Sequence, residues 1–141
     1  MKETQYIWQN GTLINWKEAT THVLSHGLHY GTGVFEGIRA YKTPKGTAIF
    51  RANDHYKRLL NSAKIIQMPL SYSVKELIDA TTHLISKNEL QSCYIRPLCY
   101  FGYGEMGLNP QNNPIDTIIA AWEWGTYLGE EGLEKGIRCK V

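Results

Sequence analysis

A dipeptide typical of tight turns, Asn10-Gly11, lies between two short runs of β-forming residues near the start of the chain, residues 6–9 and 12–14. Both turn residues tolerate a positive φ, and a two-residue connection of this kind joins antiparallel strands. A second pair of runs, residues 39–41 and 47–50, flanks a Thr-Pro-Lys-Gly sequence that is also typical of a turn. The sequence therefore predicts a sheet built from hairpins, and such a sheet is mostly antiparallel.

Two stretches in the middle of the chain carry apolar residues at helical spacing. For the first, Asn53 or Asp54 is the predicted N-cap and Pro69 marks the end. Its apolar positions are Tyr56, Leu59, Leu60, Ala63 and Ile66. The second begins with a capping box formed by Ser73 and Glu76. Its apolar stripe is Val74, Leu77, Ile78, Thr81, Leu84 and Ile85. We expect this second helix to be scaffold, because nothing on its apolar face can do chemistry.

Residues 93–101 are rich in β-forming side chains and alternate between two faces. One face carries Tyr94, Arg96, Leu98 and Tyr100, and the other carries Cys93, Ile95, Pro97, Cys99 and Phe101. Pro97 predicts an edge strand or a bulge, since proline cannot donate to a sheet ladder. Residues 117–122 are almost continuously apolar, which favours a fully buried strand.

The last part of the chain predicts a short helix over residues 129–135, which Gly136 would terminate. Residues 137–141 then alternate like the first half of a strand. We find no internal repeat or linker, so we expect one domain over residues 1–141, followed by a part of the protein that this chain lacks. The fold class expected is α+β in two layers, a mostly antiparallel sheet packed against two main helices.

Composition excludes several classes of function. The chain has 15 basic and 13 acidic residues among 141, and the net charge of +2 gives no electrostatic footprint for nucleic acid. Small anions are better partners. The N-terminus lacks the apolar core of a signal peptide, and no apolar run is long enough to span a membrane, so a cytoplasmic protein is expected. Cys93, Cys99 and Cys139 are too few for a disulfide framework.

A glycine-punctuated stretch, residues 27–39, is the first candidate for binding. Its glycines permit close approach of the backbone to a ligand, and Tyr30 and Phe35 offer aromatic walls. The spacing misses the dinucleotide-binding fingerprint by one residue. Taken alone, the stretch is interpreted as a tight turn packed by aromatic rings.

Two arginine positions can bind anions. On the first helix, Arg58 lies on a second face that we expect to be partly buried, where a guanidinium can grip a phosphate or carboxylate. A surface arginine is the alternative. Tyr94 and Arg96 share one strand face and together can hold one carboxylate. The exposed face of an edge strand is the alternative for this pair.

Three histidines, His22, His26 and His29, have a spacing that on one helix face can bind a transition metal. Glycines at 27 and 31 argue against a regular helix there, and no acidic partner is evident. We therefore predict no metal site and expect histidines that are solvated or satisfied in the core.

Together these stretches resemble the branched-chain amino acid aminotransferases, a family of fold-type-IV enzymes that use pyridoxal 5'-phosphate (PLP). The most specific match is the block His-Tyr-Gly-x-x-Val-Phe-Glu-Gly-Ile-Arg, residues 29–39. The other matching stretches are residues 8–11, 25–28, 50–51, 55–59, 62–64, 94–98, 106–110 and 124–129, in family order.

The resemblance implies roles for individual residues. Arg58 is implied to bind the cofactor phosphate. Arg96, beside Tyr94, is implied to bind the distal carboxylate of glutamate, in a pocket that also accepts the side chains of leucine, isoleucine and valine. The remaining substrate-binding positions are Tyr30, Phe35, Trp124 and Tyr127 as apolar walls, with Gly37 and Arg39. Met106 and Leu108 lie in a loop that reaches the neighbouring subunit in the family, so a homodimer or larger homo-oligomer is expected.

One departure from the family concerns the lysine that carries the cofactor. None of the lysines here matches it, so the resemblance places it beyond Val141, and we expect no catalytic residue and no activity in the isolated chain. Three alternatives stay open: a D-amino acid aminotransferase, an aminodeoxychorismate lyase of the same fold type, and a stand-alone ligand-binding module.

Overall fold

Seven strands form one antiparallel sheet in the described part of the chain. The structure is a computed structural model that describes residues 2–125, 132 and 134–140. The strands are β1 (Tyr6–Gln9), β2 (Thr12–Asn15), β3 (Gly33–Phe35), β4 (Ile38–Thr43), β5 (Gly46–Ile49), β6 (Cys93–Phe101) and β7 (Ile115–Trp122). Their order is β2-β1-β7-β6-β4-β5, and the short β3 also pairs with β6.

Both predicted hairpins are confirmed. β1 and β2 join through Asn10 and Gly11, whose φ angles are 48° and 98°, so the turn uses the left-handed conformation that this dipeptide accepts. β4 and β5 join where Thr43 pairs with Gly46. The antiparallel sheet expected from these turns is therefore the observed one.

The helices are α1 (His26–Tyr30), α2 (Ala52–Ile65) and α3 (Val74–Lys87), with a 3-10 turn at Trp16–Glu18. The capping box of α3 is confirmed, since the Ser73 N–H donates to Glu76 Oε2 at 2.7 Å.

The predicted cap of α2 is wrong. Arg51, with a φ of 46°, is the N-cap, and Asp54 lies in the first turn, where its carboxylate accepts from Arg51 Nε at 2.7 Å. There the carboxylate also complements the helix dipole.

One face of the sheet carries the core, because α2 and α3 both pack against it. The helices contribute Tyr56, Leu59, Ala63, Leu77, Leu84 and Ile85, and the strands contribute Ile38, Ala40, Cys93, Ile95, Cys99, Phe101, Ile119 and Ala121. This two-layer arrangement confirms the predicted fold class. The alternation of burial predicted for residues 93–101 is confirmed as far as Cys99, since the odd-numbered side chains are buried and Tyr94, Arg96 and Leu98 are half-buried; Tyr100 departs from it and is buried.

The opposite side, here called the open face, comprises Phe35, Tyr94, Arg96, Leu98, Ile118 and Trp122. The prediction that residues 117–122 are fully buried is wrong, because only Thr117, Ile119 and Ala121 face the helices. Ile118 and Trp122 pair with Leu98 and Tyr94 and stay half-buried on the open face. An apolar run predicts two covered faces, whereas in the described residues α2 and α3 cover one face and the short α1 lies over only part of the other, near Tyr100.

Pro97 does not mark an edge or a bulge, so that prediction is also wrong. β6 lies between β7 on one side and β3 and β4 on the other. The register is the same on both sides of Pro97, with Phe35 opposite Leu98 and Ile38 opposite Ile95. The Glu36 N–H donates to the Pro97 carbonyl at 3.0 Å, but Pro97 has no N–H to return the bond. The ladder is therefore interrupted at Glu36, and this divides one strand into β3 and β4.

Near the C-terminus, Gly132, Glu134 and Lys135 are helical, and Gly136 donates its N–H to the Gly132 carbonyl at 3.1 Å. The other residues of the predicted helix 129–135 lie outside the described part. Residues 137–140 are not in a strand, so the predicted strand is wrong there. No partner strand lies beside them among the described residues.

The three cysteines are free thiols. Cys93 and Cys99 are in the core, where burial raises the pKa of each to about 11. Cys139 is exposed. Among the described helices, none has the length and apolar character needed to cross a membrane.

Candidate functional site

An arginine among aromatic rings forms the centre of the open face. Arg96 Nη2 donates to the Tyr94 hydroxyl at 2.7 Å, and its guanidinium carbon lies 4.5 Å from the centroid of the Phe35 ring. The two-residue period of β6 places Tyr94 and Arg96 side by side, and the pairing of Phe35 with Leu98 brings the phenyl ring over them. The ring faces stabilise the cation.

One buried donor of this cluster has no partner. Arg96 Nε is inaccessible to solvent and makes no hydrogen bond within the described part of the chain. A buried donor without an acceptor costs on the order of 1–3 kcal/mol, and more for a charged group. An anionic oxygen that reached Nε and Nη2 together would remove this cost, since Nε and Nη2 form the fork that binds carboxylates.

Gly37 faces this cluster at a position where a side chain does not fit. A Cβ built on Gly37 would lie 2.5 Å from the Tyr94 hydroxyl oxygen. The glycine therefore permits the phenol to approach the β3–β4 segment closely, and this approach fixes the phenol beside Arg96.

Substituting alanine at Gly37 should lower the free energy of unfolding by about 1–3 kcal/mol, because Tyr94 must move to admit the new methyl group. Urea unfolding of the variant measures the loss. Gly107→Ala is the control, since a Cβ there would meet nothing within 4 Å. Removing the hydroxyl by Tyr94→Phe in the Gly37→Ala background should recover part of the loss. An undiminished loss in that background would contradict the predicted clash.

Two tryptophans extend the aromatic surface. The rings of Trp122 and Trp124 lie 5.1 Å and 4.7 Å from the Tyr94 ring, measured between centroids. Arg39 donates to the carbonyl oxygens of Trp124 at 3.2 Å and Gly125 at 3.4 Å. Arg39 thus holds the backbone of the segment that carries Trp124. Tyr127, the next predicted wall, lies outside the described residues.

Arg58 belongs to a second cluster, on the helical side of the β3–β4 segment. Its Nε and Nη2 donate to the two carboxylate oxygens of Glu36, the Nη2 bond at 2.8 Å. His55 Nδ1 lies 2.9 Å from Glu36 Oε2. The Arg58 side chain is 66% exposed, so the expectation of a partly buried face is wrong; only the edge of the guanidinium is anchored. Glu36 itself is only 5% exposed.

The charge of Glu36 is maintained by its partners. Burial raises the pKa of the Glu36 carboxyl, but hydrogen bonds from Arg58 and His55, with their charges, outweigh burial and hold that pKa below its ordinary value. A carboxylate only accepts, so His55 carries its proton on Nδ1 in this contact. Beside the cluster is an open groove lined by Phe50, Arg51, Asp54, His55 and Arg58.

Glu36 and His55 were not among the sequence-predicted site residues. Two signals point to them. Strand alternation across residues 35–37 turns Glu36 away from the face of Phe35 and Gly37. His55 precedes Arg58 by three positions on a helix, which makes the two neighbours. Neither pattern alone says that the carboxylate joins them.

Three other predicted residues form a separate group. The Tyr30 ring lies 4.4 Å from the His26 ring, and His26 Nε2 lies 2.7 Å from the Gly107 carbonyl oxygen. Met106 and Leu108 flank Gly107 and are 45% and 90% exposed. In the described residues, no hydrogen bond, ion pair or ring contact joins Tyr30, Met106 or Leu108 to Arg96.

The histidines of the sequence-level metal alternative each have another partner. His22 Nδ1 accepts from the Leu24 N–H at 3.1 Å, His26 also lies 2.8 Å from Thr32 Oγ1, and His29 Nε2 lies 2.8 Å from the Val23 carbonyl oxygen. The described residues contain no group of acidic, histidine and cysteine side chains suited to a metal ion.

An apolar groove that sequence reasoning missed adjoins Phe35. It lies between α1, the segment before it and the open face, and its lining is Ala19, Thr20, Thr21, Gly27, Leu28, Gly31, Gly33, Phe35, Leu98, Tyr100 and Ile118. Gly27 and Gly33 each approach Tyr100 so closely that a Cβ would lie 3.1 Å from its Cβ atom. The groove depends on contacts between segments distant in sequence, which local patterns do not show.

Comparison with known proteins places this geometry in a family. Residues 33–141 match the model of the amino-transferase class IV family. A branched-chain-amino-acid aminotransferase of Pseudomonas aeruginosa is 52% identical over 135 residues, covering 96% of this chain and 44% of the relative. The crystal structure of the Escherichia coli branched-chain amino acid aminotransferase superposes with a TM-score of 0.91 at 51% identity, over 95% of this chain and 44% of that one.

A third similar protein, the T.th. branched-chain amino acid aminotransferase, has been solved in two informative complexes. One contains N-(5'-phosphopyridoxyl)-L-glutamate, with a TM-score of 0.85, 50% identity and coverage of 91% of this chain and 43% of that one. The other contains 4-methylvaleric acid. This chain spans just under half the length of these relatives. It belongs to the class IV aminotransferase family.

Proposed function

We propose that residues 1–141 are the N-terminal domain of a PLP-dependent branched-chain amino acid aminotransferase, which exchanges an amino group between leucine, isoleucine or valine and 2-oxoglutarate. The observation that carries the proposal is the unpaired, buried Nε of Arg96 beneath an aromatic surface. Relatives that are named for this activity also support the proposal, and one of them is 52% identical in sequence.

The site suits two kinds of side chain. Glutamate and 2-oxoglutarate end in a second carboxylate, to which Arg96 can donate from Nη2 and, once ligand entry uncovers it, from the buried Nε. Leucine ends in methyl groups, which are stabilised by burial against the rings of Phe35, Tyr94 and Trp124, at about 25 cal/mol per Å² of apolar surface. Arg96 already donates to the Tyr94 hydroxyl at 2.7 Å and lies under the Phe35 ring, so a leucine side chain need not supply a partner for the guanidinium.

The second cluster suits the cofactor's phosphate. A guanidinium has five N–H donors, and two bonds from Arg58 to Glu36 leave its Nη1 group free to donate. Arg51, which is paired with Asp54, and His55 line the same open groove, so further nitrogen donors lie beside Arg58. When bound, PLP supplies the carbonyl group that takes up and releases the amino group. The residues of this chain hold the phosphate and orient the substrate.

Further parts of the proposal concern the rest of the protein. A lysine on a second domain would attach the cofactor, and Met106 and Leu108 would complete the site of a second copy in a homodimer. The exposure of both side chains supports this role. A cytoplasmic location stays a prediction.

The longer protein should transaminate L-leucine with 2-oxoglutarate, whereas residues 1–141 alone should be inactive and should leave the absorbance spectrum of added PLP unchanged, because no lysine here matches the attachment site. The test compares both purified proteins in one coupled assay. D-Alanine, at the same concentration, separates this function from that of a D-amino acid aminotransferase. A preference for D-alanine, or activity of the 141-residue chain, would contradict the proposal.

A further inference from the structure

The buried carboxylate of Glu36 has no role in the function proposed so far. It is the only charged side chain below a tenth exposed among the described residues. A carboxylate is costly to bury unless charged donors surround it, and here both oxygens are occupied by Arg58 and His55. The Glu36 carboxylate therefore holds the Arg58 guanidinium of α2.

We propose that Glu36 is a positioning residue, which orients the Arg58 guanidinium so that its Nη1 edge meets the cofactor phosphate in the groove beside His55. The inference rests on the proposed function, since it needs Arg58 to bind phosphate. In this role Glu36 acts through Arg58 and touches neither cofactor nor substrate.

The geometry indicates that Glu36 orients the Arg58 guanidinium and does more than neutralise its charge. An arginine side chain that is 66% exposed has many accessible rotamers, and fixing it costs entropy. Two bonds to one carboxylate fix both the position and the plane of the guanidinium before any ligand arrives. His55, 18% exposed, holds the second carboxylate oxygen and so keeps Glu36 from turning with Arg58.

The backbone of Glu36 is held independently of its side chain. The Glu36 N–H donates to the Pro97 carbonyl at 3.0 Å, and the ladder continues in register on both sides. A glutamine at position 36 therefore leaves Phe35 and Gly37 on the open face. The Glu36→Gln variant should therefore change the orientation of Arg58 without changing the substrate cluster around Arg96.

The direction in which PLP affinity changes distinguishes an orienting role of Glu36 from a purely electrostatic one. Removing a negative charge close to a phosphate should tighten phosphate binding if only Coulomb attraction matters. If Glu36 orients Arg58, then Glu36→Gln should weaken PLP binding although the site becomes more positive. By analogy with partners behind other ligand-binding side chains, which matter roughly 10- to 100-fold, we expect roughly tenfold weaker binding.

The experiment measures dissociation constants of PLP and of pyridoxal, which lacks the phosphate, with the full-length apoenzyme. Glu36→Gln should weaken PLP binding about tenfold and change pyridoxal binding less than about twofold. The double variant with Arg58→Ala should bind PLP no worse than Arg58→Ala alone, because Glu36 acts through Arg58. Asp79→Asn, the same kind of change in the exposed pair with Lys75, is the matched control.

Glu36→Asp provides a second test that keeps the charge. It is one methylene too short to grip Arg58 as the glutamate does, so PLP binding should again weaken. Unchanged or tighter PLP binding in both variants would overturn the inference, and so would equal losses for PLP and pyridoxal, which indicate general damage. If Arg58→Ala itself leaves PLP binding unchanged, the phosphate-binding role of Arg58 in the proposed function is wrong, whatever the Glu36 variants show.

Discussion

Replacing Arg58 with alanine in the full-length enzyme should weaken PLP binding by roughly 10- to 100-fold and should leave the preference among amino acids nearly unchanged. The variant loses charge-assisted hydrogen bonds to the phosphate, and solvent screening keeps the loss moderate because the Arg58 side chain is 66% exposed. Arg58 lies on the helical side of the β3–β4 segment, whereas Arg96 lies on the open face with Phe35, so binding of leucine and of glutamate should be affected alike.

Retention of PLP after dialysis, followed by titration of the apoenzyme, measures this effect. Lys57→Ala is the matched control, because Lys57 is the exposed neighbour of Arg58 on the same helix and makes no contact with Glu36. Full retention of PLP by Arg58→Ala would show that the arginine is a surface residue, which is the alternative that helical spacing alone leaves open.

The arrangement of the open face follows from sequence patterns that are local. Alternation along β6 puts Tyr94 and Arg96 on one face and the core residues on the other, and Asn10-Gly11 dictates the first hairpin. Such patterns are reliable because each depends on backbone geometry within a few residues. The resemblance then named Phe35 and Gly37, which the structure brings to Arg96 and Tyr94.

Other features depend on partners far along the chain. Proline is rare in an interior strand, but the missing N–H of Pro97 faces Glu36, where the ladder is interrupted. The N-cap of α2 is Arg51 in a left-handed conformation, rather than Asn53 or Asp54. The pairing of Glu36 with Arg58 joins a strand junction to a helix, which no local spacing predicts.

Arg96→Leu should separate the two substrates of the proposed reaction. The glutamate and 2-oxoglutarate half-reaction should lose on the order of 1.5–3 kcal/mol, roughly 10- to 150-fold in rate, because a charge-assisted bond to the distal carboxylate is removed. Leucine has no second carboxylate and should lose much less. The new leucine side chain keeps the wall below Phe35 apolar and removes the unpaired Nε, so the folded state should not be destabilised by a buried donor.

Single-turnover kinetics of each half-reaction in the full-length enzyme measure the separation, because each amino acid is then followed alone. Arg39→Leu is the control, the same substitution on the same face in an arginine that donates to the Trp124 and Gly125 carbonyls. It should affect leucine and glutamate about equally, because those bonds support the aromatic wall that both substrates meet. A selective loss for glutamate in Arg39→Leu, rather than in Arg96→Leu, would exchange the roles of the two arginines.

Equal losses for leucine and glutamate in Arg96→Leu would point to a feature that the two substrates share. The α-carboxylate is such a feature, and the fork of Arg96 Nε and Nη2 would suit it as well as a distal carboxylate. Norvaline and glutamate have similar chain lengths, so their comparison isolates the charge at the end of the side chain. If Arg96 binds the distal carboxylate, only glutamate should be affected; if it binds the α-carboxylate, both should lose by the same factor.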